Sequence, residues 1–243
     1  MRRFFCNPQH INSHQINILD KDELHHLKDV LRLKNQDKVT VIDGNGTELI
    51  CEISHLGKHG AKLNILERHT YKKEELPLRL TVACAVPKKS KIDFIVEKLT
   101  EIGTEKIILL KTERTEVNLK DYSRKLVRFK KIAESSLKQS GNLFLPQIDF
   151  LNFEGLMRLK LDGDFDLAVI PNLAGSTQNL KDVLEKKPAK NILVAIGPEG
   201  DFSKEEIDSA QQAGFISVSL GDSVLKVDTA AIVAAGFIKL YFS

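Results

Sequence analysis

Residues 191–231 constrain the fold more than any other part of the chain. They read as an apolar strand, a Gly-Pro-Glu-Gly turn at 197–200, a helix that begins at Ser203, a second strand, a glycine turn at Gly221 and a long apolar helix. Strands that alternate with helices form parallel sheets, so both turns fall at the carboxyl edge of one sheet. Glycine lets backbone turn sharply or approach a ligand closely. Spacing alone fits two ligand loops and two ordinary strand–helix connections equally well.

The first seventy residues have a different pattern. Asp20 and Glu23 predict a capping box that opens a short helix through Leu31. Apolar runs at 38–42 and 48–53 flank Asp-Gly-Asn-Gly, which is a strong hairpin signal, and a further strand is expected at 61–66. These elements predict a small β-rich module with one helix.

A polar, charged connector at 68–77 leads into a second region, where strands and helices alternate. Ser90 with Asp93 is expected to cap one of its helices, and Gly103 to end it. This region predicts a mostly parallel sheet covered on both faces. Its predicted strands are 80–86, 107–110 and 166–170, and its predicted helices are 92–102 and 122–139.

Composition excludes several classes of protein. The chain has 243 residues, of which 42% are hydrophobic and 28% charged, and a net charge of +3, so composition alone does not indicate nucleic acid. The three cysteines are far apart and predict reduced thiols, and we expect no metal site. We expect no signal peptide and no membrane span, and therefore a soluble cytoplasmic protein. Phosphate-loop, dinucleotide and serine-hydrolase motifs are absent.

A basic stripe is the other notable feature. The helix at 120–138 carries seven Lys or Arg residues against Asp121 and Glu134, a pattern that can follow a phosphate backbone. Such charge runs are more often solvated helix faces. Near the start, Arg3 beside Phe4 and Phe5 offers a cation and aromatic rings suited to RNA, although one of the two phenylalanines is expected to face a core.

Several motifs together resemble one family. They are Ile196-Gly197-Pro198-Glu199-Gly200-Asp201-Phe202-Ser203, Ser219-Leu220-Gly221, Val224-Leu225-Lys226-Val227-Asp228-Thr229-Ala230, Arg3-Phe4-Phe5, Val30-Leu31-Arg32, Glu101-Ile102-Gly103, Glu113-Arg114 and Gln139-Ser140-Gly141. In their order along the chain they are similar to the RsmE family, the 16S ribosomal RNA uracil-N3 methyltransferases of the SPOUT superfamily. The resemblance runs essentially from end to end.

The resemblance implies a fold, a cofactor and partners. Residues 1–72 would form a PUA-like β-barrel that binds RNA, and 73–243 an α/β SPOUT domain with a C-terminal trefoil knot, which is a rare exception to unthreaded connections. Such enzymes are homodimers that bind S-adenosylmethionine and act on 16S ribosomal RNA, free or in the assembled small subunit. By position, the cofactor residues would be Ile196, Gly197, Pro198, Glu199, Gly200, Leu220, Gly221, Val224, Leu225, Thr229 and Ala230.

The same resemblance suggests residues for the reaction. Uridine N3 must lose its proton, and the uridine must be single-stranded or flipped out because pairing buries N3. We expect Arg114 to hold the base or a phosphate, and Asp228 and Lys226 to lie near the reacting groups. The expected RNA contacts are Arg3, Phe5, Arg32, Arg114, Arg124, Arg128 and Lys138.

Five positions depart from the family pattern. Lys226 and Asp228 stand where Arg and Glu are usual, and Lys lacks the planar fork of Arg. Lys138 and Asn142 replace an acid and an arginine, and Asp201 stands where Gly is frequent. Two alternatives therefore remain open: an RNA-binding protein on this scaffold without methyl transfer, and a methyltransferase that acts on another RNA.

Overall fold

The computed structural model describes residues 3–87, 91–115, 119–173 and 177–242, with side chains omitted for 119–124. The chain divides into two compact units. The first comprises Met1–Glu75 with Leu137–Leu145, and the second comprises Leu76–Ser136 with Pro146–Ser243.

The described part of the first unit contains one five-stranded sheet in the order β1-β3-β4-β5-β2. β1 pairs with β3 in parallel, and the other pairs are antiparallel. The predicted hairpin and the strand beginning at Ala61 are confirmed. The strands are β1 (Arg3–Phe5), β2 (Gln15–Ile18), β3 (Lys38–Ile42), β4 (Thr47–Leu56) and β5 (Ala61–Thr70).

The short helix of this unit differs from its prediction in two ways. Helix α1 (Lys21–His25) has Asp20 as its cap, but the Glu23 carboxylate bonds elsewhere, so no capping box forms. The chain then continues as a π-helical turn (His26–Val30). In this wider turn the hydrogen bond joins residues five apart, with the Leu31 N–H donating to His26 O at 3.0 Å. Val30 therefore lies outside the apolar face of the helix and is exposed.

The hairpin turn between β3 and β4 is closed by side chains. Gly44 and Gly46 have positive φ of 74° and 93°. A Cβ on Gly44 would lie 2.7 Å from Leu145 Cδ1, and one on Gly46 would lie 2.6 Å from Phe144 Cζ. Only glycine fits such a conformation beneath these side chains. The turn is therefore part of the packed interior of the first unit.

The second unit is built on a parallel sheet, as predicted. Its described strands number seven, in the order β10-β12-β9-β11-β6-β7-β8, and every neighbouring pair is parallel. The strands are β6 (Arg79–Ala85), β7 (Lys106–Lys111), β8 (Gln147–Asn152), β9 (Leu167–Pro171), β10 (Gln178–Asn179), β11 (Asn191–Ile196) and β12 (Ile216–Ser219).

Local signals set the helices of this unit. Gly103, with φ of 82°, ends the first of them as predicted, whereas the predicted cap Ser90 lies outside the described residues. Ser203 and Glu206 form the predicted capping box. The helices are α2 (Ile92–Ile102), α3 (Leu119–Ser140), whose last residues belong to the first unit, α4 (Phe153–Asp162), α5 (Leu180–Lys186), α6 (Lys204–Gln212) and α7 (Val227–Tyr241).

The strand order decides where a ligand can bind. β9 lies between β12 and β11, so three strands that are well separated along the chain end side by side. Ligands of open α/β sheets bind outside the carboxyl ends of strands. The loops after β9, β11 and β12 are therefore brought together at one edge.

Candidate functional site

A pocket opens at the carboxyl ends of β9, β11 and β12, within the second unit. It has about 600 Å³ of empty space, including its open mouth. Pockets for small molecules have roughly 300–1,000 Å³. The lining residues are Pro171, Asn172, Leu173, Gly197, Pro198, Glu199, Asp201, Val218, Ser219, Leu220, Gly221, Ser223, Val224, Leu225, Val227 and Ala230.

Most of the cofactor residues suggested by sequence lie in this lining. These are Gly197, Pro198, Glu199, Leu220, Gly221, Val224, Leu225 and Ala230. Ile196 is instead buried at the end of β11, and Thr229 is exposed at the start of α7. Gly200 is exposed and does not belong to the lining, and a Cβ on it would lie 3.5 Å from Arg114 Cδ.

The loop after β9 was missed by sequence reasoning. Asn172 and Leu173 line the pocket, and Asn172 is 8% exposed. The strand ending at Pro171 was visible as an apolar run before a proline. Nothing in the sequence indicated that this strand would lie between β12 and β11. The residues that follow it therefore gave no indication of a ligand site.

Asp201 ties two of the pocket loops together. Its φ is 60°, in the left-handed region that few residues other than glycine and asparagine or aspartate adopt readily. One carboxylate oxygen accepts the Leu173 N–H at 2.8 Å, and the other accepts the Phe202 N–H at 2.8 Å. The Asp201 carboxylate thus supplies a bond between the loops after β9 and β11.

Arg114 lies in a tight turn after β7. The turn is fixed by the buried hydroxyls of Thr112 and Thr115, whose oxygens are 2.6 Å apart, and by the Glu113 N–H, which donates to Glu206 Oε1 at 2.9 Å. Arg114 Nη1 donates to the Gly200 carbonyl. Among the described residues, every hydrogen bond of Arg114 uses Nη1. Arginine carries five N–H donors, so Nε and Nη2 can contact a substrate.

Asp228 pairs with a residue that sequence reasoning did not select. In the first turn of α7, its carboxylate accepts a hydrogen bond from Lys91 Nζ at 2.8 Å. The bond from this ammonium lowers the pKa of Asp228 below its ordinary value, and backbone N–H groups of the same turn add to the effect. Lys226 is exposed immediately before α7. The lysine that orients Asp228 is therefore Lys91.

The cysteines do not supply a nucleophile. All three are buried and free. Burial raises the pKa of Cys6 and of Cys51 to about 12, and it raises that of Cys84 further. At neutral pH these thiols are protonated, and the thiol is a weak nucleophile. Across the described ranges, no cluster of three or more His, Cys, Asp or Glu could hold a metal ion.

Comparison with known proteins identifies the family. A family model described as an RNA methyltransferase domain matches residues 74–239, and one described as an RNA methyltransferase PUA domain matches residues 19–66. A protein named ribosomal RNA small subunit methyltransferase E, from Synechocystis, is 35% identical over 214 residues, which are 87% of this chain and 69% of that protein. The chain belongs to the RsmE family. It is an RNA methyltransferase.

Other RsmE relatives agree along nearly the whole chain. The Bacillus subtilis protein of the same name is 27% identical over 98% of this chain and 96% of its own. The crystal structure of a Neisseria gonorrhoeae ribosomal RNA small subunit methyltransferase E, bound to S-adenosyl methionine, has a TM-score of 0.85 at 26% identity, covering 99% of this chain and 98% of that chain. A probable rRNA-methyltransferase from Porphyromonas gingivalis has a TM-score of 0.84 at 27% identity, with the same coverage.

The RNA contacts suggested for this RsmE chain have varied surroundings. In the first unit, the Arg3 guanidinium packs against Gly141, and Arg3 Nη2 lies 3.4 Å from Glu48 Oε1. Phe5 is half-buried and packs near the Gly44 turn. Arg32 is exposed, with a strained φ of 51°.

The remaining suggested contacts lie on α3. Lys138 is paired with the buried carboxylate of Glu23, and Arg128 is paired with Asp93 while 68% of its side chain is exposed. The side chain of Arg124 lies outside the described residues. In the portion of the chain that is described, no helix is long and apolar enough to cross a membrane.

Proposed function

We propose that this enzyme transfers a methyl group from S-adenosylmethionine to N3 of a uridine in 16S ribosomal RNA of the small subunit. The observation that carries the proposal is the pocket formed by the loops after β9, β11 and β12 in a chain of the RsmE family. Because the substrate is ribosomal RNA, we also propose that the enzyme works in the cytoplasm.

The pocket residues fit this methyl donor. Leu220, Val224, Leu225 and Ala230 offer an apolar surface for a planar base. The charged residues among the described pocket lining are two carboxylates, Glu199 and Asp201. Since the donor carries one more positive charge than its demethylated product, these carboxylates favour it. When bound, S-adenosylmethionine supplies the methyl group.

The surrounding side chains suggest how uridine is handled. Nε and Nη2 of Arg114 would hold the base or an adjacent phosphate, and the turn at Thr112 fixes their position. The lowered pKa of Asp228 makes it a weak proton acceptor at neutral pH. We therefore assign Asp228 the role of a fixed negative charge held by Lys91, and Lys226 that of a cation near the anion that forms on the base.

RNA binding is proposed for both parts of the chain. Residues 1–72 would be the RNA-binding module and residues 73–243 the catalytic domain. We propose Arg3, Phe5, Arg32, Arg124 and Arg128 as contacts, because arginine can neutralise phosphates and an aromatic ring can stack on a base. Lys138 is the weakest member of the set, since its ammonium pairs with a buried carboxylate, that of Glu23, and only 21% of its side chain is exposed.

The finer architecture is also a proposal. We propose that the loops after β9, β11 and β12 belong to a trefoil knot and that the enzyme is a homodimer. An apolar face of α7 supports the dimer. Val233, Phe237, Leu240 and Tyr241 recur at helical spacing and are all exposed, and Leu240 is 79% exposed. A large exposed apolar patch is typical of an interaction surface.

The dimer is tested by placing a charge on this face. Leu240→Glu should convert a species of twice the chain mass into single chains in analytical ultracentrifugation. Leu161→Glu is the matched control, because Leu161 is 67% exposed on α4 and should leave the mass unchanged. Single chains in the unaltered protein would refute the homodimer.

The function is tested by mapping nucleosides in a strain that lacks the protein. We expect N3-methyluridine to disappear from 16S RNA and to return when the purified enzyme and S-adenosylmethionine are added, to free RNA or to small subunits. Loss of a methylated nucleoside from another RNA would favour the second alternative. An unchanged map, with no binding heat for S-adenosylmethionine, would favour an RNA-binding protein without methyl transfer.

A further inference from the structure

One polar atom in the pocket has no hydrogen-bond partner among the described residues. Asn172 follows β9, lines the pocket and is more than nine-tenths buried. Its amide nitrogen Nδ2 donates to Ser217 Oγ at 3.3 Å. Its amide oxygen Oδ1 is buried, and no donor among the described residues lies within hydrogen-bond distance of it.

The side chain is held in this orientation by its neighbours. Ser217 Oγ also accepts a hydrogen bond from Gln211 Nε2 at 3.1 Å, and the Asn172 backbone N–H donates to Val218 O at 3.3 Å. These bonds hold the side chain beside β12 and α6, with its amide nitrogen bonded to Ser217 and its amide oxygen without a partner among the described residues.

A buried acceptor without a donor is unfavourable, because it has lost its hydration without gaining a bond. Such groups are rare in folded proteins, and each one calls for a water, an ion or a ligand. The pocket lining around Asn172 includes the apolar residues Pro171, Leu173 and Val218. A ligand that brings its own N–H or O–H to this point would satisfy the oxygen.

We propose that Asn172 is a specificity-determining residue, whose Oδ1 accepts a hydrogen bond from the nucleoside part of the methyl donor. This inference rests on the proposed function, because it takes the ligand to be an adenosyl compound. The nucleoside has two kinds of donor that share this chemistry: the 6-amino group of adenine and the ribose hydroxyls. A site built to bond one of them rejects an analogue that lacks it far more strongly than a simple apolar pocket does.

The unaltered protein provides the first test. Calorimetry would compare S-adenosylhomocysteine with its 6-deamino (purine riboside), 2′-deoxy and 3′-deoxy counterparts. We expect one of the three to bind at least tenfold more weakly than the parent, and its identity names the group that reaches Asn172. Binding of all three within threefold of the parent would overturn this inference alone. No binding of the parent or of S-adenosylmethionine would overturn the proposed function as well.

A variant then assigns the discrimination to the side chain. Asn172→Leu removes the acceptor at similar volume, so the tenfold difference should fall below threefold. Ser219→Ala is the matched control, because the Ser219 hydroxyl also lines the pocket but is already bonded to the backbone of Gly221. The control should keep the tenfold difference. Discrimination that persists in Asn172→Leu would overturn the proposal. Each discrimination factor is a ratio of two Kd values measured on the same protein, so the comparison does not require the variants to be equally stable.

Discussion

Two glycine turns in this protein look alike in sequence, but the surroundings of their glycines are opposite. The hairpin turn of the first unit holds Gly44 and Gly46 beneath Leu145 and Phe144, so the absent side chain makes room for the protein itself. At the pocket edge of the second unit, Gly221 has a φ of 117°, yet a Cβ there would meet nothing within 4 Å among the described residues. The absent side chain leaves open space at the pocket instead.

The difference teaches that a glycine turn should be interpreted through what surrounds it. Both conformations favour glycine because φ is positive. Only the second turn lies beside a partly polar, open pocket, and only there does the neighbouring loop contain an unpartnered buried oxygen, among the residues described. The hairpin turn is expected to control stability, and the pocket turn is expected to control binding.

The closed turn gives the largest predicted effect. Gly46→Ala should destabilise the first unit by about 2–5 kcal/mol, from the left-handed conformation and from overlap with Phe144 and the Tyr71 carbonyl. The melting temperature should fall by roughly 10 °C, whereas folded protein should bind S-adenosylmethionine normally. Gly214→Ala is the control, since φ is 88° but no atom of the described residues lies within 4 Å of an added Cβ. Equal losses in the two variants would show that packing contributes nothing.

Substitution of Arg114 tests whether cofactor binding and RNA handling at the pocket edge depend on different residues. Arg114→Ala should lower kcat/KM for methylation by about 100-fold, because a positioned charge-bearing donor is lost. The Kd for S-adenosylmethionine should change by less than about threefold, or ~0.7 kcal/mol. Arg158→Ala, which removes an exposed arginine on α4, should leave both unchanged. An equal loss of cofactor binding and activity would contradict the RNA-side role.

Substitution of Asp201 tests whether the hydrogen bonds that its carboxylate accepts from backbone N–H groups contribute to cofactor binding. Asp201→Gly permits the positive φ but removes both N–H bonds, so the Kd for S-adenosylmethionine should rise about tenfold, or ~1.4 kcal/mol. Asp201→Ala adds backbone strain and should also lower the melting temperature, whereas Asp201→Asn should fall between aspartate and glycine in calorimetry. If the glycine variant bound the donor as tightly as aspartate, the tie to Leu173 would have no part in binding.

The smallest predicted effect is a pH dependence at the Lys91–Asp228 pair. Because the pKa of Asp228 is lowered in the folded protein, its contribution to stability is present above the unfolded pKa of about 3.9 and is lost as pH falls through the folded value. Asp228→Asn should therefore be less stable than the unaltered protein at pH 7, by less than about 1 kcal/mol.

Urea unfolding at a series of pH values measures this difference. The two unfolding curves should converge as the pH falls below 3.9. Lys91→Met should show the same loss at pH 7, since it removes the other partner. A difference that stayed constant down to acid pH would show that the ion pair is not its source.

Local patterns predicted much of the fold, since the information lies within a few residues. The capping box of Ser203 and Glu206, the stop at Gly103 and the β3–β4 hairpin are all present. The π-helical turn at His26–Val30 was not predicted, because apolar spacing alone cannot distinguish it from an α-helical turn.

The candidate site was predictable only in part, for a similar reason. Gly197 and Leu220 lie in loops marked by their own residues, and both line the pocket. Asn172 lines it because β9 inserts between β12 and β11, and strand order is a property of the whole sheet. Lys91 and Asp228 form an ion pair although they are 137 positions apart in the chain, and no local sequence pattern around either residue indicates the other.

The carboxylate of Glu206 has a consequence beyond starting a helix. One of its oxygens accepts the Ser203 N–H to cap α6, and the other accepts the Glu113 N–H beside Arg114. One side chain therefore sets both the beginning of a helix and the location of a candidate RNA contact. Ordinary helix caps can exchange among several residue types during evolution, but this one must keep two acceptors at this reach. A substitution at position 206 would therefore disturb a helix cap and the turn of Arg114 together, although the residue need never touch a substrate.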